Sequence, residues 1–300
     1  MVDAYHEPVL LKESVQGLEI KPEGIYVDVT FGGGGHSRAI LKKLTTGRLI
    51  AFDKDQDAMK NVPDNGNFQL IASDFRDVRA KLAEQAISEV DGLLADLGIS
   101  SHQIDVPQRG FSTRFDAKLD MRMDVSCGTT ASGVVNEYEE RELGDMLWRY
   151  GELKQSRAIA RAMVAARQNK PIVTTEDLKA VLSRFPKKGK EQKFYAQVFQ
   201  ALRIEVNDEL GSLKALLEAA SGILKKGGRM AVISYHSLED RLVKNYIAKG
   251  KFEGELEKDF YGNPKRVFAA VNRKPIEATE QEVGNNSRAR SAKLRIAEKI

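Results

Sequence analysis

From residue 24 onward, short apolar runs alternate with stretches in which apolar residues recur every three or four positions. Ile25–Val29, Arg48–Asp53, Phe68–Ala72 and Val90–Asp96 read as strands, and Ser37–Leu44, Gln56–Asn61 and Phe75–Ala86 as the helices between them. Near-continuous apolar strands joined by crossover helices predict a parallel sheet covered on both faces. The rhythm stops after Gly98. From about 105 to 210 the chain shows helical spacing over Glu139–Tyr150, Gln155–Asn169 and Thr175–Phe185 and little strand signal, which is too long a stretch for a loop. It resumes with a helix over Asp208–Lys226 closed by Gly227-Gly228, a strand Arg229–Ser234, a helix Ser237–Lys249, and strands Arg266–Val271 and Ala292–Ala297. Glu253 to Pro264 is polar and reads as an exposed connection. The simplest architecture is one α/β domain, 1–104 with 211–300, carrying an inserted helical domain over 105–210.

Composition narrows the class without naming a chemistry. With 42% hydrophobic and 30% charged residues over 300 positions, the chain has enough apolar surface for a substantial core. The balance of 47 Lys+Arg against 43 Asp+Glu is too mild to demand a nucleic-acid partner. A single cysteine, Cys127, excludes an intrachain disulfide. No apolar run reaches the roughly 20 residues of a membrane span, and the polar start lacks a signal-peptide core. These features predict a soluble, cytoplasmic protein.

The chemistry begins at Asp28-Val-Thr-Phe-Gly-Gly-Gly-Gly-His36, between a strand and a helix. Consecutive glycines let a ligand approach the backbone and supply the positive φ that such a turn needs. A phosphate-cradling P-loop requires Lys-Ser/Thr after its last glycine, whereas His36-Ser37-Arg38 follows here. The nicotinamide fingerprint G-x-G-x-x-G also fails. Acid-x-small-x-Gly-x-Gly fits, as Asp28-Val-Thr30-Phe-Gly32-Gly-Gly34, which resembles the first motif of S-adenosylmethionine-dependent methyltransferases with Thr30 replacing one glycine. Asp53, at the end of the second strand, suits two ribose hydroxyls or a helix N-cap. Asp74 offers a carboxylate for an adenine amine, and Phe75 a ring that either stacks on it or joins the core. Asp96 ends the fourth strand, on the sheet edge where ligands of open α/β folds bind.

Further blocks carry a fuller resemblance. His6-Glu-Pro-Val-Leu-Leu-Lys-Glu13, Asp96-Leu-Gly-Ile-Ser-Ser101, Arg109-Gly-Phe-Ser112, Leu119-Asp-Met-Arg-Met-Asp124, Ser234-Tyr-His-Ser-Leu-Glu-Asp-Arg241 and Asn286-Ser-Arg-Ala-Arg-Ser-Ala-Lys-Leu-Arg295 join the glycine run. Together they closely resemble the MraW family of bacterial small-subunit rRNA methyltransferases, in that family's order and across nearly the whole chain. The resemblance implies a class I, Rossmann-like methyltransferase fold with a seven-stranded, mostly parallel sheet and an inserted helical domain for substrate recognition. It also implies methylation of the exocyclic N(4) amine of a cytidine in the decoding region of 16S rRNA, with S-adenosylmethionine as cofactor. The cofactor contacts it implies are Gly34, Gly35, His36, Asp53, Phe75, Asp96 and Gln103. Tyr235 stands where phenylalanine is frequent in the family, and His102 where proline is.

A cytosine amine is a poor nucleophile because its lone pair is delocalised into the ring. Positioning and hydrogen-bond acceptors on its protons are therefore the enzyme's main resources. Asp96 is the candidate acceptor. Tyr235 and His236 are candidates for the cytidine pocket, His236 otherwise being a structural strand-end histidine. No cysteine lies in a site motif, which argues against a covalent thiol adduct. The four histidines lack metal-ligand spacing, so no metal is expected. His6 is a candidate to fold over the site.

For the RNA, Arg149 to Arg203 carries 13 Lys/Arg against four acids. Its basic loop, Lys187, Lys188, Lys190 and Lys193, adjoins Phe194 and Tyr195, and Arg288 and Arg290 belong to a second basic run in the tail. The expected partner is 16S rRNA within the small ribosomal subunit, met by a monomer or homodimer. The rival readings are a methyltransferase of the same scaffold acting on DNA or protein, and a non-catalytic assembly factor.

Overall fold

A computed structural model describes residues 8–126 and 128–300, so His6 and Cys127 fall outside the described residues. Along the chain run α1 (Leu11–Gly17), β1 (Ile25–Asp28), α2 (Gly35–Leu41), β2 (Arg48–Asp53), β3 (Phe68–Ala72), α3 (Val78–Glu84), β4 (Val90–Asp96) and α4 (Ser101–Asp105). Helices α5 (Ala131–Glu137), α6 (Glu140–Gly151), α7 (Ser156–Arg167), α8 (Thr175–Leu182) and α9 (Glu191–Asn207) follow without an intervening strand. The remainder is α10 (Glu209–Ile223), β5 (Leu224–Ser234), α11 (Ser237–Lys249), β6 (Phe268–Ala270), β7 (Ile276–Glu277), α12 (Glu280–Asn285) and β8 (Lys293–Lys299).

The chain divides into two compact units. One is the chain up to Gly98 together with Leu210–Ile300, and the other is Ile99–Glu209. The first boundary falls ahead of the expected residue 104 because α4, with its Ser100–Gln103 capping box, belongs to the second unit. No helix among the described residues is long and apolar enough to cross a membrane.

In the first unit the sheet order is β3-β2-β1-β4-β5-β8-β6, with β7 a short addition on β8. Strands β1 to β5 are parallel, and β8 runs antiparallel to both β5 and β6. Successive residues face opposite sides, and both sides are apolar: Val27, Leu93 and Val232 enter one core, and Tyr26, Leu94 and Ile233 the other. That is why these strands read as unbroken apolar runs. The second unit packs α5 to α9 around its own core, which includes Leu143, Leu147, Ile159, Met163, Leu178 and Leu202. Its Leu119–Asp124 block is held as packed backbone: Asn207 accepts from Met123 N at 2.8 Å and donates to Met121 O at 2.8 Å, while Arg109 donates to Met123 O at 3.0 Å.

Two expected elements differ. The helix expected to reach Lys226 ends at Ile223, and Leu224 already pairs with Val90 as strand β5. Gly227-Gly228 therefore do not stop a helix. They sit within β5 where its register against β4 shifts, Gly227 taking φ +76° and Gly228 leaving no room for a Cβ beside Lys225 O. The helix expected from Phe75 starts at Val78, preceded by a 3-10 turn, Phe75–Asp77, that the Asp74 side chain caps through Arg76 N.

Candidate active site

The carboxyl ends of β1, β2, β4 and β5 are adjacent by register and bring Asp28, Asp53, Asp96 and Tyr235 to one edge of the sheet. This is the edge at which open α/β sheets bind ligands. Asp28 is fully buried and braces the turn, accepting from Ser37 Oγ at 2.6 Å and from Thr30 N at 3.1 Å. Burial raises its pKa, against the pull of those hydrogen bonds. Thr30, the residue in place of a motif glycine, accepts from the Asp96 backbone N–H through Oγ1 at 2.7 Å and so ties β1 to β4. Thr30→Val removes that acceptor at nearly constant volume and is expected to cost about 1–2 kcal/mol in chemical denaturation, with Thr30→Ser close to the parent. Equal loss in both variants would show that the hydroxyl plays no part.

The glycine run is held from outside. Arg38 Nη1 donates to Gly33 O at 2.6 Å, and Asn61 Nδ2 to Gly32 O at 2.9 Å. Gly34, the N-cap of α2, has φ +74°, and a Cβ there would meet the Phe31 ring at 2.8 Å. A Cβ at Gly35 would lie 2.1 Å from Pro8 Cγ. Both glycines are thus required by packing within the chain, whatever else lies against them. His36 is buried, and its Nε2 has no hydrogen-bond partner among the described residues. Burial lowers its pKa to about 4, against an opposing contribution from the Val9 backbone, so the ring is neutral at pH 7.

Asp53 accepts from Gly32 N at 2.7 Å and Asp55 N at 2.8 Å. Burial pushes its carboxyl up to about 6 despite those bonds, with Asp55 and Asp28 adding repulsion. The N-cap considered for it belongs instead to Asp55, which receives Asp57 N. A carboxylate has more acceptor sites than two backbone donors fill, so Asp53 retains capacity for hydroxyl donors. Asp74 is engaged: it receives Lys54 Nζ at 3.1 Å, Ser212 Oγ at 3.1 Å and Arg76 N at 2.9 Å. Burial acts to raise its pKa, but Lys54 and Arg76 prevail and hold it below the usual carboxylate value. Phe75 is half-buried against the core.

Asp96 and Tyr235 form the centre of the edge. Tyr235 OH donates to Asp96 Oδ1 at 2.7 Å, and His36 Nδ1 lies 3.7 Å from Asp96 Oδ2. Burial pushes the Asp96 carboxyl up to about 7, the Tyr235 bond opposing this and Asp28 and Glu239 adding to it. Burial, then Asp96, drives the Tyr235 phenol well above its ordinary value, so it remains a donor. The Tyr235 ring lies over Gly98 (φ +103°), where a Cβ would stand 3.2 Å from Cδ2. His236 caps α11. Its Nδ1 accepts from Glu239 N at 3.4 Å, and Glu239 returns the contact to Tyr235 N at 2.8 Å and His236 N at 3.3 Å. His236 Nε2 sits 3.3 Å from Glu239 Oε1 without hydrogen-bond geometry. Sequence reasoning missed the Tyr235–Asp96 bond and the His236 cap. The Ser/Thr–x–x–Glu capping pattern gave no warning, because a histidine takes the Ser/Thr position.

In the second unit Gln103 is buried and closes the α4 capping box, accepting Ser100 N at 3.0 Å. Lys187, Lys188, Lys190 and Lys193 are all exposed. Their aromatic neighbours are not a free platform: Phe194 stacks on Phe185 at 6.5 Å and, like Tyr195, packs on the core. Part of the surrounding excess charge is consumed by Arg203–Glu209 at 2.7 Å and Lys170–Asp177 at 2.8 Å. In the tail Arg288 is half-buried and Arg290 exposed, while Arg295 is buried against Asp240 at 2.7 Å.

The sheet order, with its antiparallel penultimate strand, and the acid-capped glycine turn define a class I methyltransferase fold. The model of the MraW methylase family matches residues 3–300, and the chain belongs to that family. It is 58% identical over 297 residues to the ribosomal RNA small subunit methyltransferase H of Cytophaga hutchinsonii, covering 98% of this chain and 99% of that one. Proteins of the same name from Parabacteroides distasonis and Flavobacterium johnsoniae are each 55% identical, over 99% of this chain and 98% of theirs.

Proposed function

We propose that the chain transfers a methyl group from S-adenosylmethionine to the N(4) amine of a cytidine in the decoding region of 16S rRNA, giving N(4)-methylcytidine. The observation that carries the reading is the Asp96–Tyr235 pair on the ligand-binding edge of the sheet, beside the glycine turn, in a chain of the MraW family. The residues fit the cofactor. Asp53 has spare acceptor capacity for ribose hydroxyls, and His36 Nε2 is a buried polar atom awaiting a partner. Gly34, Gly35 and His36 would hold it at the turn, with Phe75 and Gln103 as further contacts. When bound, it supplies an electrophilic methyl on a sulfonium.

Asp96, as carboxylate, accepts a hydrogen bond from the cytosine amine, which helps the nitrogen pyramidalise and stabilises its developing positive charge. Tyr235 fixes that carboxylate by donating to its other face, and His236 fixes Tyr235 through the α11 cap. The protonated product amine is strongly acidic, so a strong general base is not required. The second unit serves as the substrate-recognition domain, its Lys187–Lys193 loop and the Arg288 and Arg290 segment contacting phosphate. The substrate is the rRNA within the small subunit, in the cytoplasm, and the enzyme acts as a monomer or homodimer.

Incubation of unmodified small subunits, free rRNA, DNA and a protein extract with labelled cofactor tests this. The expected result is N(4)-methylcytidine in the rRNA nucleosides by mass spectrometry. Label in DNA or protein, or none anywhere, would overturn the reading.

A further inference from the structure

At the β6 end of the sheet lies a second feature that the methyl-transfer site does not use. A cavity of about 180 Å³ opens there, lined by Lys244, Arg266, Phe268, Asn272, Arg273 and Arg295 among others, and no acidic residue lines it. Arg295 is committed to Asp240. Lys244, Arg266 and Arg273 are exposed and form no ion pair among the described residues.

The chain enters this cavity from a small hairpin. Lys258 and Pro264 close it by a β-bridge, two residues before Arg266. Within it, the Asp259 carboxylate accepts from Tyr261 N at 2.9 Å, Asn263 N at 2.8 Å and Asn263 Nδ2 at 3.0 Å, and Gly262 takes φ +86°. The tip is therefore fixed by its own hydrogen bonds. It presents Phe260 at 97% and Tyr261 at 86% exposure, the two most exposed large hydrophobic residues among those described. Their rings meet edge to face at 5.6 Å and 87°, which leaves ring faces open. Lys258, Lys265 and Arg266 flank them, all exposed. Of the acids nearby, Asp259 is consumed by the turn and Glu257 is paired with Lys251 at 3.2 Å, leaving Glu253 and Glu255 on the segment that leads into it.

We propose that this hairpin and the adjoining cavity are a second RNA-binding surface, in which Phe260 and Tyr261 stack on unpaired bases while Lys244, Arg266 and Arg273 bind the phosphates beside them. Rings held open to water by a rigid turn are pre-organised for planar, apolar partners, and bases are the planar partners that bring phosphate with them. The flanking cations favour RNA over an apolar protein surface. The inference rests on the reading that the substrate is RNA, and adds a contact made by residues other than those assigned to the chemistry.

The test uses the full chain with small-subunit rRNA, comparing the parent with Phe260→Ala/Tyr261→Ala and with Lys244→Gln/Arg266→Gln/Arg273→Gln. All five side chains are exposed, and thermal melts matching the parent verify folding. The aromatic pair is expected to weaken RNA binding about tenfold at every salt concentration. The basic triple is expected to lower the slope of log affinity against log salt by about 2, roughly 0.7 per lost phosphate contact. In both, KM for RNA rises while kcat at saturating RNA stays within about twofold and cofactor affinity is unchanged. Unchanged affinity and salt slope in both variants overturn the proposal. So does intact RNA binding with lost sedimentation on anionic phospholipid vesicles, which would make the surface a membrane contact. Lost RNA affinity in these variants, together with a parent that transfers no methyl group, supports the surface and overturns the assigned function.

Discussion

Asp53→Ala is expected to weaken S-adenosylmethionine binding at least 100-fold, measured by titration calorimetry, with turnover lost at ordinary cofactor concentrations. Two effects combine. The carboxylate is the ribose acceptor in the proposed site, and hydrogen bonds to a charged group contribute about 1.5–3 kcal/mol each. It also holds Gly32 N at 2.7 Å and Asp55 N at 2.8 Å, so its removal loosens the turn proposed to hold the cofactor. Because the loss is one of binding, a large excess of cofactor should recover much of kcat. Unchanged affinity would remove Asp53 from the site.

The second large effect is a trade between stability and activity at Asp96. Its carboxyl is held at about 7 in the folded protein, against 3.8 for an unperturbed aspartate. A group whose folded pKa is raised binds protons in the folded state that the unfolded chain has already lost. Stability from Asp96 is therefore present at low pH and declines as pH rises through about 4 to 7. Asp53, at about 6, acts in the same direction. His36, lowered to about 4, acts in the opposite direction below its unfolded value of 6.5. Above pH 6.5 Asp96 is thus the main contributor among these three. Asp96→Asn keeps an oxygen to accept from Tyr235 and removes the buried charge. It is expected to stabilise the protein at pH 8 by a few kcal/mol, on the order of 1.4 kcal/mol per unit of pKa shift removed, with a gain at pH 5 of less than half of that. Turnover should fall on the order of 100-fold or more, since the charged acceptor is lost. In the parent, kcat/KM should fall as pH drops below about 7. Tyr235→Phe should move that inflection upward, because the Tyr235 hydrogen bond favours the carboxylate. Denaturation curves at the two pH values and a pH–rate profile decide the matter. Full activity in Asp96→Asn would exclude the assigned role.

Much of the scaffold was legible because its signals are local. Strands β1 to β4 were readable from their apolar runs, and the helical stretch from its three- and four-residue spacing. Where reading failed, a long-range contact outweighed a local preference. Gly227-Gly228 look like a helix stop, yet Leu224 pairs with Val90 and the glycines serve a strand irregularity. The tail block ending at Arg295 looks uniformly basic, yet Arg295 is neutralised by Asp240, 55 positions earlier. Glu253–Pro264 looked like a plain polar connection, since its charged residues masked a turn that displays two aromatic rings.

The amino-acid sequence by itself determined the succession of the parallel strands, the glycine turn with its acid, and the family, because these depend on residue type at short spacing. Tertiary structure alone decided which groups meet. Thr30 reaches the Asp96 backbone, Tyr235 reaches the Asp96 carboxylate across 139 positions, and His236 caps α11. A side chain's protonation and its partners depend on burial and on neighbours brought together by the sheet, and spacing along the chain carries neither. The glycine run marks where the cofactor is proposed to approach; the packed edge around it sets the protonation of the carboxylates there.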